Sequence, residues 1–124
     1  VNRQAFERLV AEALDGLPEQ VRTHMQNVEV MIEEWPSAQD LADAGMEKNE
    51  KALLLGLYSG VPLTERDTGY AGFLPDRITL YQGPIQRVTG SDAEAIREEV
   101  RTTVLHEIGH YFGMSEERLE ELGW

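Results

Sequence analysis

Apolar residues recur along this chain with two different periods, and the changes of period mark its elements. Phe6, Leu9, Val10, Ala13 and Leu14 fall at helical spacing, which predicts an amphipathic helix over residues 2–15. Gly16-Leu17-Pro18 then breaks the pattern. Val28, Val30 and Ile32 alternate with Glu29, Met31 and Glu33, the period expected of a strand with one buried face, ending at Trp35-Pro36. Ser37 is placed to cap a short helical turn through Ala44. Residues 52–60, ALLLGLYSG, form a short apolar run that predicts a second, well-buried strand. From Gly60 to Asp76 the glycines and prolines predict an irregular loop, long enough to rim a cleft. A third strand is expected over residues 77–82, closed by Gly83-Pro84.

Beyond it, Ser91 followed by Asp92, with Glu94 three residues on, reads as a capping-box start to a long helix. Ile96, Val100, Val104, Ile108 and Tyr111 recur every three or four residues, so one side of this helix should face the core. Gly113 is its natural stop, and Ser115 begins a last short helical segment carrying Leu122 and Trp124. Interspersed strands and helices of these lengths predict an α+β fold, a small mixed sheet packed on helices. At 124 residues the chain is expected to form one domain, residues 1–124, with a single core. The order in which the strands pair is not encoded in this pattern.

Composition narrows the chemistry. With no cysteine, any metal must be held by His, Asp or Glu. Eleven basic against 23 acidic side chains give a formal charge of −12, which repels phosphate backbones and anionic membranes and argues against nucleic-acid and membrane partners. The plain reading of that acidity is a solvated surface. No apolar run approaches the roughly 18–20 residues needed to span a bilayer, and the first residues mix charged with apolar side chains, unlike a signal peptide. A cytoplasmic protein is expected.

Residues 106–110 read His-Glu-Ile-Gly-His, the H-E-x-x-H pattern of zinc metalloproteases. A helix advances about 100° per residue, so positions four apart lie within roughly 40° of each other, one turn up, and both imidazoles can reach one ion. Glu107 is angled beside them, where its carboxylate can serve as general base toward a water at the metal. The remaining histidine, His24, reads as a surface or structural residue. A catalytic zinc takes three protein ligands, and the acids after the motif are Glu116, Glu117, Glu120 and Glu121. Gly113 selects among them: a glycine three residues after His110 lets the helix end in a left-handed turn and swing the chain back toward the metal. The spacing H-E-x-x-H-x-x-G-x-x-Z, which is the metzincin spacing with Glu for its third His, puts Z at Glu116, with Glu117 as the alternative. Met114 precedes that position and reads as a packing residue.

From about Leu54 onward, through GLYSGVPLTER, LPDRITLYQGPI and HEIGHYFGMSEERLEELGW, the sequence resembles small bacterial zincin-like metallopeptidases, formerly a domain of unknown function. The resemblance implies a compact zincin-like domain with the metal helix near the C-terminus. It also implies one zinc ion (Zn2+) per chain ligated by His106 and His110, with Glu107 as catalytic base, and a peptide or protein substrate. A sheet-edge strand, best matched by Ile78 to Gln82, is implied to lie beside the cleft and pair with that substrate. Tyr70, Tyr81 and Arg77 are candidates for oxyanion stabilisation. Two other functions fit the same residues: a catalytically silent, metal-containing peptide-binding module, and a structural zinc site with a fourth protein ligand.

Overall fold

The computed structural model describes residues 1–60 and 76–124; the expected loop, and with it Tyr70, lies almost wholly outside them. Helix α1 spans Arg3–Asp15, with the Asn2 side chain accepting from the Ala5 N–H at 2.8 Å. It buries Phe6, Leu9, Val10 and Ala13, as its periodicity predicts. Helix α2, Glu19–His24, and a 3-10 turn, Met25–Asn27, lead into strand β1, Val28–Glu33. Helix α3, Ala38–Asp43, opens with a capping box between Ser37 and Asp40.

The segment over residues 52–60, expected to be a well-buried second strand, is divided. Glu47 and Glu50 form a second capping box that nucleates a 3-10 turn at Lys48–Leu53, leaving Leu53 60% exposed and only Gly56–Ser59 as strand β2. Local side-chain bonds to the backbone outcompeted the apolar run there. Strand β3, Asp76–Tyr81, is followed at once by helix α4, Gln82–Thr89. Gly83-Pro84, read from sequence as a stop, lies in that helix's first turn, where proline's missing N–H is not needed; Gly83 admits the Trp35 ring where a Cβ would stand 2.5 Å from it.

The three strands among the described residues form one mixed sheet in the order β1-β3-β2, with β1 parallel and β2 antiparallel to β3. This corrects one expectation: the strand over Ile78 to Gln82 is the middle of the sheet, and among the described strands the edge beside the long helix is β2. One face, with Ile78 and Leu80, packs against α1 and helix α5, Ala93–Tyr111. Ile96, Val100, Val104 and Ile108 are each at most 1% exposed, and burying each such side chain contributes about 1.5–3 kcal/mol. Tyr111 is an exception, 47% exposed because it lies beyond the core's end. The other face carries Tyr81 with Leu41 and Leu54. Among the described residues no helix is long and apolar enough to cross a membrane.

The cap of α5 is Asp92 rather than Ser91: its Oδ1 accepts from the N–H groups of Glu94 at 3.0 Å and Ala95 at 3.3 Å. Asp92→Ala is therefore expected to destabilise the fold by about 1 kcal/mol and Ser91→Ala by much less, a contrast that thermal melts of the two variants would measure.

Candidate metal centre

Helix α5 ends as its glycine predicts. The Gly113 N–H donates to the His110 carbonyl at 3.0 Å and the Met114 N–H to the Gly109 carbonyl at 2.9 Å, with Gly113 at φ +80°, which is a Schellman turn. Met114 is half-buried there. The turn reverses the chain, Ser115 caps α6, Glu116–Leu122, and α6 runs back along the motif helix. Leu119, wholly buried, sits over Gly109. A Cβ at Gly109 would collide with the Leu119 side chain, so the glycine within His-Glu-Ile-Gly-His is the notch into which α6 docks.

That docking brings the expected acid to the expected histidine. Glu116 Oε1 lies 2.7 Å from His110 Nε2, whereas no contact of Glu117 with either imidazole is found among the described residues. His106 and His110 share one side of the helix with ring centroids 6.0 Å apart. The His106 Nε2 lies 3.3 Å from the Trp124 backbone oxygen. Among the described residues, no three His, Asp or Glu side chains close around a common point as they stand. The donor chemistry nonetheless suits zinc, since imidazole nitrogens and a carboxylate are its ordinary ligands where thiolates are lacking.

Glu107 points between the helix and the sheet. Its Oε1 accepts a hydrogen bond from the Tyr58 N–H at 2.9 Å. Leu55 bonds Tyr81 through its carbonyl at 3.0 Å, so by the alternation of an antiparallel ladder the N–H of Tyr58 faces away from β3 and toward the helix. The edge is pressed on the helix at Gly56, where a Cβ would stand 2.6 Å from Thr103 Cγ2. Tyr58 is pinned in turn: its hydroxyl donates to Asp76 Oδ2 at 2.8 Å and its ring stacks on Tyr111 at 4.0 Å. Burial raises the Glu107 carboxyl above the usual carboxylate range, against the opposing pull of the Tyr58 N–H and then of His110 and His106. A partly buried, raised carboxylate beside two imidazoles is the electrostatic setting of a proton acceptor.

These groups line an open cleft of about 290 Å³ between α5 and residues 53–56. Neither described oxyanion candidate reaches it. Tyr81 is fully buried on the opposite face of the sheet, where burial and then Asp40 raise its pKa. Arg77 is cross-strand from Glu29 and pairs with it at 3.7 Å. His24 is exposed with its ring 4.8 Å from that of Phe112, which matches a surface role. The Tyr58 N–H, Gly109 and the Trp124 carbonyl carry no signal in the sequence, because each acts through a backbone group or through a side chain it lacks.

Comparison with known proteins gives a consistent picture. Residues 25–124 match the family described as zincin-like metallopeptidase. Among solved structures, a conserved hypothetical protein from Thermus thermophilus is similar at 30% identity, over 90% of this chain and 94% of that one, with a TM-score of 0.54. No curated protein matches the chain.

Proposed function

Because the chain belongs to the zincin-like metallopeptidase family, we propose that it is a zinc-dependent peptidase, with His106, His110 and Glu116 as ligands of one ion and Glu107 as general base. The observation that carries this reading is the placement of Glu107, held by the edge N–H of Tyr58 at 2.9 Å beside both motif imidazoles. Zinc at such a site supplies Lewis acidity, which polarises a peptide carbonyl and acidifies water.

The remaining steps belong to the chain. The Tyr58 bond occupies Oε1 and leaves Oε2 to take the proton of the attacking water and return it to the leaving amine. The outward backbone of β2 at Gly56, beside the motif, is an edge on which an extended peptide can pair. A second reading, a catalytically silent, metal-containing peptide-binding module, uses the same zinc ligands and cleft and differs only in lacking turnover.

The zinc-loaded chain should carry one ion and cleave a peptide library. Glu116→Ala should weaken zinc binding by about tenfold or more while Glu117→Ala leaves it unchanged. Metal analysis, competition titration with a chelating dye and mass spectrometry of the digest check this. A zinc content near zero would sink the metal assignment, and zinc with peptide binding but no cleavage would leave the silent module.

A further inference from the structure

The stripe of α5 that carries the motif extends beyond it. Glu99 is seven residues before His106 and eleven before His110, so at about 100° per residue it lies within roughly 20° of each around the helix axis. It lines the same cleft. Seven residues of helix rise roughly 10 Å, the length of about three residues of extended peptide.

The other acids on this part of the helix have basic partners. Arg97 bonds Glu94 at 2.7 Å and Glu12 at 3.0 Å, and Arg101 lies 3.9 Å from Glu98. Glu99 is half-buried, and among the described residues no basic group stands within ion-pair distance of it. The facing wall is aliphatic, Leu53 to Leu55, with Leu53 at 60% exposure. An acid across from the exposed Leu53 complements a side chain with an aliphatic stem and a cationic head. An apolar side chain there would strip water from Glu99 and return nothing. The formal charge of −12 adds a field that draws cationic peptides in.

We propose that the cleft selects peptides carrying Arg or Lys about three residues from the bond at the motif, with Glu99 pairing the cationic head and Leu53 packing on its stem. This rests on the cleft being the peptide site of the proposed peptidase. The test uses neutral decapeptides through which a single Arg is walked position by position. Their binding to the Glu107→Gln chain is read by fluorescence anisotropy, and their cleavage by the zinc-loaded wild type by mass spectrometry. Arg peptides should bind roughly fivefold tighter than the neutral parent. Glu99→Gln should remove that difference, Glu99→Lys should transfer the preference to Glu-bearing peptides, and cleavage should fall at a constant offset of about three residues from Arg. Equal affinities, or a preference that survives Glu99→Gln, overturn the inference. Cleavage without preference would remove it and leave the peptidase, whereas preference without cleavage would keep the selective cleft and remove the peptidase.

Discussion

Replacing Glu107 with Gln is expected to cut kcat/KM for peptide hydrolysis by about 10²- to 10⁴-fold, the usual range for losing a positioned general base, while zinc content and fold are kept. Gln retains an Oε1 that can accept from the Tyr58 N–H, the bond that measures 2.9 Å in the wild type, so the side chain should stay where it is. Its amide has no free carboxylate oxygen to take a proton. Nor should the change weaken folding, since burial already disfavours the ionised carboxylate and a neutral amide avoids that cost. Zinc per chain, a thermal melt and initial rates together check the prediction. Full activity in a variant with normal zinc would show that another group is the base.

Leu119→Ala should have the largest effect on stability outside the main core. Leu119 is wholly buried and fills the notch at Gly109, and truncating such a leucine costs about 2–5 kcal/mol of a total that is typically 5–15 kcal/mol. Because the same helix presents Glu116 to His110, zinc affinity should fall along with stability. Gly109→Ala should also destabilise, by overpacking, offset in part by alanine's better helix propensity. The double variant is the discriminating measurement: a methyl at residue 109 can occupy space that Leu119→Ala vacates, so its loss should be smaller than the sum of the two. Urea denaturation of the four proteins measures this. A Leu119→Ala loss under about 0.5 kcal/mol, the level of an ordinary surface substitution, would mean that α6 is not clamped there.

The expectations that held and those that failed differ in kind. The helix over residues 2–15, the cap at Ser37 and the stop at Gly113 each depend on a few neighbouring residues. The strand over 52–60 formed only at Gly56–Ser59, because Glu47 and Glu50 reach backbone groups and build a turn before it, a local competition that an apolar run does not display. The third strand closes at Gly83-Pro84 as read, but the helix that starts there was not legible, because proline is compatible with a first helical turn as well as with a break. Ser91 and Asp92 are both capping residues in adjacent positions, and only the path of the chain chose Asp92.

What the sequence by itself determined about the site is the part that lies within one helix and its exit turn. The repeat of 3.6 residues puts His106 and His110 on one side, and a glycine at residue 113 turns the chain so that Glu116 returns to His110; both follow from the geometry of consecutive residues. Only the tertiary structure decided that β3 is central and β2 the edge, that a backbone N–H 49 residues away holds Glu107, that Leu119 seats on Gly109, and that Glu99 faces leucines across a cleft. Each of these pairs segments distant in the chain. Such pairing is selected by the fit of whole surfaces during packing, and neither periodicity nor spacing along the chain carries that fit.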